Sequence, residues 1–220
     1  GAANPGSHAR CRRRGSGLIV STRLHQMTVT YVPTEDRMML RIATNEKTEY
    51  RLWLTRRFIA TLWPALGGQL AQTTDLSGLR PQPAPSGSPS SGDDEAPAPP
   101  PPPAAPVSDK VRDAVLGMEH QAAVQEADFS RGHDEDTVDL TANSGPKIVT
   151  GAKVKPWDGQ KLVLGFQTAD NMNITVTLDK KLLHGFCHMV STTVQRAEWG
   201  LDLTIGEPVV MPQGATQVVH

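Results

Sequence analysis

Two stretches of the chain decide the fold: residues 36–66, DRMMLRIATNEKTEYRLWLTRRFIATLWPAL, and residues 160–190, QKLVLGFQTADNMNITVTLDKKLLHGFCHMV. They align without a gap, although they share few identical residues: Leu40/Leu164, Thr44/Thr168 and Leu54/Leu178. In each stretch, two runs with apolar residues at alternate positions flank a short polar loop, which is the pattern of half-buried strands. The apolar spacing then changes to that of a helix. Each stretch therefore predicts a β-hairpin followed by a helix.

The helices are expected to begin directly after Thr55 and Asp179, because both are good N-cap residues at aligned positions. One further strand precedes each hairpin, over residues 27–31 and 148–154, and ends at a proline turn. The two helical stripes also match position by position: Ile59, Leu62, Trp63, Leu66 and Leu70 with Leu183, Phe186, Cys187, Val190 and Val194. A β-β-β-α unit is therefore predicted twice.

These units predict an α+β fold with an antiparallel sheet, helices on one face and a pseudo-twofold arrangement of the duplicated unit. A single three-stranded unit has too small a core to stand alone, so the two copies are expected to share one. The predicted boundaries are a disordered basic arm (1–22), the first repeat (23–76), a Pro/Ser/Gly-rich linker (77–107), an extra helix (108–130), an acidic loop (131–146), the second repeat (147–205) and a C-terminal tail (206–220).

The extra helix before the second repeat has Ser108 as its candidate N-cap, and Glu119 and His120 are expected to be exposed on it. Its inward apolar stripe is expected to consist of Val111, Val115, Met118 and Ala122. In the first repeat, Pro64 is expected to kink or split the helix. The helix of the second repeat is expected to run to about Trp199.

Composition limits the classes of function. Lys and Arg number 22 against 23 Asp and Glu, a net charge of −1, which argues against general nucleic-acid binding. No apolar run approaches the roughly 20 residues of a membrane helix, so no membrane partner is expected. The two cysteines, Cys11 and Cys187, do not suggest a disulfide framework, and there is no signal-peptide core. We therefore expect a cytoplasmic protein.

The sequence contains no convincing catalytic set, so a non-enzymatic protein without a cofactor is expected. The spacing of His184, Cys187 and His188 would bring three potential metal ligands to one helix face, yet Cys187 lies in the apolar stripe. We favour a core cysteine flanked by two histidines and expect no metal site. The acidic run after His133 lacks calcium-loop spacing and is expected to be a solvated charge run.

The outward side of the first hairpin carries the candidate partner-binding residues Arg37, Arg41, Arg51 and Trp53. The predicted hairpin register places Arg41 directly opposite Arg51, and like charges there are destabilising unless something neutralises them. The diagonal neighbour Glu49 or an outside partner would do so, with Trp53 as an anchor for the partner. The alternative is a solvated sheet face without a partner.

Basic pairs occupy the first turn of both helices: Arg56 and Arg57 in one, Lys180 and Lys181 in the other. Cations oppose the helix dipole there, so their presence in both copies indicates either that they have a function or that both copies inherited them from a common ancestor. A helix N-terminus with two cations is a candidate anion-binding site. Inheritance without function is the alternative interpretation.

The run from Asp36 to Leu66, with its Arg-Leu-Trp-Leu-Thr-Arg-Arg-Phe core, resembles an uncharacterised family of bacterial proteins of proteobacterial type. The residues 118–121 (MEHQ) and the run from Leu182 to Trp199 add to the resemblance. It covers most of the ordered chain and implies a bacterial cytoplasm, but the family has no assigned function and supplies no catalytic residue.

The leading functional hypothesis is a non-enzymatic interaction scaffold that binds an unidentified protein partner through the Arg/Trp-bearing face, with possible self-association through a sheet edge. The alternative is a nucleic-acid-binding module that uses the basic arm, the two basic pairs and Trp53. A third hypothesis is an enzyme or metalloprotein built on the His184/Cys187/His188 set.

Overall fold

The structure is a computed structural model that describes residues 19–21, 24–76, 108–127, 129, 132–133, 136–139, 141 and 145–206. The predicted Pro/Ser/Gly-rich linker, most of the basic arm and nearly all of the C-terminal tail lie outside these residues. The described elements, in chain order, are β1 (Ile19–Ser21), β2 (Leu24–Val32), β3 (Arg37–Thr44), β4 (Thr48–Leu54), α1 (Arg56–Thr73), α2 (Asp109–Glu126), β5 (Val138–Asp139), β6 (Lys147–Lys155), β7 (Lys161–Thr168), β8 (Asn173–Asp179) and α3 (Lys180–Arg196).

The strands form one mixed sheet in the order β1-β8-β7-β6-β4-β3-β2, and the short β5 also pairs with β4. The α+β class is therefore confirmed, but the expectation of a purely antiparallel sheet is wrong. The two hairpins are antiparallel, whereas β4–β6, β4–β5 and β1–β8 pair in parallel. Local alternation predicts that a strand exists, but the direction of its non-local neighbours depends on how the chain returns to the sheet.

One core joins both halves of the chain. The alternate residues Met38, Leu40 and Ile42 of β3 are fully buried, as are their counterparts in β7. Both predicted helical stripes are buried in the same apolar cluster. In addition, α1 packs on β6 and α3 packs on β2, so each helix contacts the first main strand of the other half.

The turns and caps have matched geometry in the two halves. Each hairpin turn closes on a threonine: the Thr44 hydroxyl accepts from the backbone N–H of Thr48, and the Thr168 hydroxyl accepts from that of Met172. The N-cap predictions are confirmed, since the Thr55 hydroxyl accepts from Phe58 N–H and the Asp179 carboxylate accepts from Leu182 N–H.

A bulge also occurs at the same place in each half. The pairing of β2 with β3 shifts between Leu24 and Gln26. The pairing of β6 with β7 shifts between Val149 and Gly151. Both irregularities lie opposite the threonine that closes the following hairpin turn, Thr44 in one half and Thr168 in the other.

Four local expectations need correction. Residues 19–21, assigned to the disordered arm, form β1 along β8, and residues 138–139, assigned to the acidic loop, form β5 along β4. The expected split of the first helix at Pro64 does not occur, since α1 runs from Arg56 to Thr73 with Pro64 on its exposed side. The third helix ends at Arg196, before Trp199.

The extra helix α2 is confirmed with Ser108 as its N-cap, but the face it buries is not the expected one. Val111 is 40% exposed and Met118 is 46% exposed, whereas Leu116 is the buried residue of the helix. His120 and Glu119, expected on the surface, face α3 instead, where they contact His184 and Lys180. This face is buried because α3 presents His184 and Lys180 to α2, and these polar side chains need hydrogen-bonding partners.

Candidate functional site

The carboxylate of Glu49 forms the centre of the outward face of the first hairpin. It is only 1% exposed, although it lies on the side of the sheet away from the main core. Arg41 reaches it with two donors, Nε to Oε1 at 2.7 Å and Nη2 to Oε2 at 3.0 Å. Arg51 donates its Nε to the same Oε1 at 2.7 Å. The predicted Arg41/Arg51 pair does lie directly across the ladder, and Glu49 neutralises it.

The segment that was expected to be a solvated acidic run covers this cluster. Nε2 of His133 lies 3.0 Å from Glu49 Oε2, and the Thr137 hydroxyl donates to the same oxygen at 2.8 Å. The other ring nitrogen of His133 lies 3.1 Å from the Thr28 hydroxyl, and Asp139 pairs with Arg51 at 3.2 Å. His133 and residues 136–139 therefore form a strap over the hairpin.

The electrostatics of Glu49 follow from these contacts. Burial alone would raise the pKa of its carboxyl. Hydrogen bonds from Arg41, Arg51 and Thr137, together with the charge of Arg41, outweigh burial and lower the pKa to about 2. Glu49 is therefore ionised at any ordinary pH. The cluster contains two positive charges, on Arg41 and Arg51, and two negative charges, on Glu49 and Asp139, so these charges balance.

Beside the Glu49 cluster lies a row of apolar side chains. Met39 is directly opposite Trp53 across the β3–β4 ladder, and Trp53 is directly opposite Ile148 across β4–β6. Residues opposite each other point to the same face of a sheet. Ile148 is 38% exposed, Met39 and Trp53 are half-buried, and Arg37 lies two residues before Met39 on that face. We call Arg37, Met39, Trp53 and Ile148 the outer patch.

The two predicted anion-binding pairs differ in their surroundings. Lys180 forms an ion pair with Glu119 at 2.9 Å, and Lys181 forms one with Glu126 at 2.5 Å. Arg56 and Arg57 are exposed and form no ion pair with the described residues. The candidate anion site at α3 is therefore taken by the chain's own carboxylates, whereas at α1 the charge of Arg56 acts on Asp36 and Arg57 has no ion-pair partner among the described residues.

His184, Cys187 and His188 do not converge. His184 is fully buried, its Nδ1 lies 3.1 Å from Nδ1 of His120, and its Nε2 has no hydrogen-bond partner. Cys187 points into the core, where burial raises the pKa of its thiol. Among the described residues, no group of three or more potential ligand side chains is arranged to hold a metal ion.

Two grooves lie at aligned positions of the two halves. The first, the α3 groove, has a volume of about 300 Å³ between β2, α2 and α3, and the second, the α1 groove, has about 440 Å³ between β6 and α1. Their walls correspond residue by residue: Met27, Lys181, Leu182, Gly185, Phe186 and Met189 in the α3 groove align with Ala152, Arg57, Phe58, Thr61, Leu62 and Ala65 in the α1 groove.

A third cavity, of about 510 Å³, opens beside the strap and the exposed edge of β2. Its charged and titratable lining residues are Arg41, His133, His188 and Arg196, and four threonines add hydroxyl groups. No described carboxylate lines it. This chemistry suits an anion better than a cation.

Sequence reasoning identified the arginines and Trp53 but missed the roles of His133, Thr137 and His120. One signal was present: a glutamate in a strand position beside two facing arginines needs more than one donor if it is buried. Comparisons of this chain with protein-family models, with curated proteins and with solved structures found no match. The resemblance to uncharacterised bacterial proteins therefore stays a prediction. Within the described residues, none of the helices has the length and apolar character that crossing a membrane requires.

Proposed function

We propose that the protein is a non-enzymatic interaction scaffold that binds a protein partner through the outward face of its first hairpin. The observation that carries this proposal is the outer patch: an apolar row of Met39, Trp53 and Ile148 beside the Arg37 guanidinium. Protein interfaces combine an apolar centre containing aromatic residues with a polar rim in which arginine is enriched. An exposed apolar row without such a role would favour non-specific association.

Arg41 and Arg51 take a different part in this proposal from Arg37 and Trp53. Both are tied to Glu49, so they are fixed cations at the edge of the patch. Their side chains lose little conformational freedom when a partner binds, and such pre-organisation favours affinity. Arg37 and Trp53 supply the direct contacts.

We also infer that the scaffold arose by duplication of a β-β-β-α unit arranged about a pseudo-twofold axis. Four pairs of features support this: the bulges, the threonine-closed turns, the N-caps and the two grooves occur at aligned positions. The helix contacts are reciprocal, α1 with β6 and α3 with β2. After a duplication the two halves can diverge, which explains why the outer patch is present on the first half of the outward face and not on the second.

The test compares a patch variant with its aligned counterpart. Arg37→Glu/Met39→Glu changes the outer patch, and Lys161→Glu/Val163→Glu makes the same changes at the aligned positions of β7. The tagged chain is used for affinity capture from a bacterial lysate, with nuclease, and captured proteins are quantified by mass spectrometry. We expect a stoichiometric partner that the patch variant loses by about tenfold or more and the β7 variant retains.

Equal capture by both variants would contradict the assignment of the patch. Light scattering of the purified chain belongs to the same experiment. If the captured partner is a second copy of this chain, the patch variant alone should shift the mass from dimer to monomer. A mass that is insensitive to both variants would exclude self-association through this face.

The nucleic-acid alternative has one observation in its favour. Lys153 and Lys155 of β6 and Lys161 of β7 share one face and are exposed. They form no ion pair with the described residues, and a row of exposed lysines is the kind of basic surface that contacts a phosphate backbone. Binding of a single-stranded oligonucleotide that weakens steeply with salt, and that Lys153→Ser/Lys155→Ser abolishes, would support this function. No binding at low salt would remove it.

A further inference from the structure

The α3 groove indicates which chemical groups a groove of this kind can bind, because Glu126 and Phe129 of the chain itself lie along it. The ring of Phe129 lies over Gly185, close enough that a Cβ there would meet it at 3.8 Å. The same ring lies 4.9 Å from that of His188, centre to centre. At the mouth of the groove, Glu126 forms the 2.5 Å ion pair with Lys181. A carboxylate and an aromatic ring three residues later thus form one wall of this groove.

The strand and helix walls of the α1 groove match those of the α3 groove, but no described residue of another segment lies where Glu126 and Phe129 line the α3 groove. Arg57 stands where Lys181 stands, and it forms no ion pair with the described part of the chain. Thr61 stands at the position of Gly185, and its side chain narrows the groove on that side. Leu62 and Ala65 are smaller than the aligned Phe186 and Met189, which widens the groove on those sides.

The backbone beside the α1 groove is also available for pairing. On the side of β6 away from β7, β4 pairs only with Lys147 and Ile148. Residues 150–155 have no described strand on that side. An extended segment could therefore hydrogen-bond to this edge while its side chains enter the groove.

We propose that the α1 groove binds a segment of a partner protein that carries a carboxylate and, about three residues further on, an aromatic side chain. The carboxylate would pair with Arg57 as Glu126 pairs with Lys181, and the ring would lie over Thr61, as Phe129 lies over Gly185, next to Ala65. This inference rests on the scaffold function and the duplication proposed above. The groove adjoins the outer patch, because Ile148 lines both, but Arg37, Met39 and Trp53 do not line the groove. The charge of Arg57 and the contacts of Glu126 and Phe129 at the α3 groove both point to this class of partner.

The experiment uses the segment that fills the α3 groove as its probe. A fluorescently labelled peptide of residues 125–136, QEADFSRGHDED, is titrated with the full chain, and binding is followed by anisotropy at low salt. We expect saturable binding, a loss of affinity of about tenfold or more for the peptide with Phe129→Ala, and a similar loss for the chain variants Arg57→Glu and Ala65→Trp. Both variants change exposed positions of α1, and circular dichroism checks their fold.

The matched control is Lys181→Glu, which changes the aligned position in the α3 groove and should leave peptide binding unchanged. If Lys181→Glu weakens binding and Arg57→Glu does not, the peptide is exchanging with the chain's own segment and the proposal is wrong. Absence of saturable binding up to about 1 mM would overturn it as well. The variant Arg37→Glu/Met39→Glu should still bind the peptide, so failure of the outer patch and failure of the groove are distinguishable.

Discussion

Glu49 is the residue on which the outward face of the first hairpin depends. A carboxylate that is 1% exposed survives there because Arg41, Arg51, His133 and Thr137 all contact its two oxygens. The same contacts hold the strap against the sheet. Removing the negative charge therefore leaves one carboxylate, Asp139, for two facing arginines and weakens the contacts that hold the strap.

We expect Glu49→Gln to lower the free energy of unfolding by about 3 kcal/mol, the scale of breaking a buried ion pair. Urea unfolding at pH 7 measures the effect. Glu46→Gln, an exposed carboxylate in the adjacent turn, is the control and should change stability by less than about 0.5 kcal/mol. Equal stability of the two variants would mean that the cluster contributes nothing net.

At the scale of elements, α2 is held in place by polar partners and by one close backbone approach. Glu119 receives a hydrogen bond from Lys180 and one from the backbone of Asp75, which joins α2 to α3 and to the end of α1. Gly206 follows α3 and approaches α2 so closely that a Cβ would lie 2.5 Å from the carbonyl oxygen of Asp113. The nearest other atom would be the backbone nitrogen of Gly117, at 2.6 Å.

We therefore expect Gly206→Ala to destabilise the protein more than Gly200→Ala. Both glycines have a positive φ, 65° and 62°, so both substitutions carry a backbone cost of about 1 kcal/mol. Only Gly206→Ala also forces the chain away from α2, since nothing lies within 4 Å of a Cβ at Gly200. Thermal unfolding of the two variants makes the comparison. Equal melting temperatures would show that this contact with α2 does not contribute to stability.

At the scale of the whole molecule, buried histidines link folding to pH. Burial and the neighbouring charges of His184 and His188 lower the pKa of His120 to about 4, and burial with the charge of Lys180 lowers that of His184 to about 4. An ordinary histidine has a pKa of 6.5. Between these values the unfolded chain binds protons that the folded chain does not, so stability falls as the pH falls.

We expect the free energy of unfolding to decrease by about 2 kcal/mol for each of these two histidines from pH 7 to pH 5. The double variant His120→Phe/His184→Phe should lose most of this dependence while keeping an aromatic pair between α2 and α3. Urea unfolding at pH 5, 6 and 7 tests both statements. A further loss below pH 4.5 belongs to Glu49, whose pKa of about 2 makes its contribution disappear only as the pH falls from about 4.5 towards 2. An unchanged slope in the double variant would contradict the assignment to these histidines.

The sequence by itself determined the two hairpins, the two capped helices and the residues of the core. These features follow from local rules: a period of two for strands, a helical period for the stripes, and a side-chain oxygen at each N-cap. The sequence also determined that Arg41 lies directly opposite Arg51, because a short polar loop fixes the register of a hairpin.

Only the tertiary structure decided the parallel pairings, the face that α2 buries and the contacts of Glu49. The parallel strands β1 and β5 are too short to have a pattern of their own. The face that α2 buries depends on the side chains that α3 presents to it. Val111 and Met118 are exposed, although their helical spacing in the sequence is the same as that of a buried stripe. The Glu49 cluster joins residues far apart in sequence. Its chemistry follows from contacts between distant segments, which no local period in the sequence encodes.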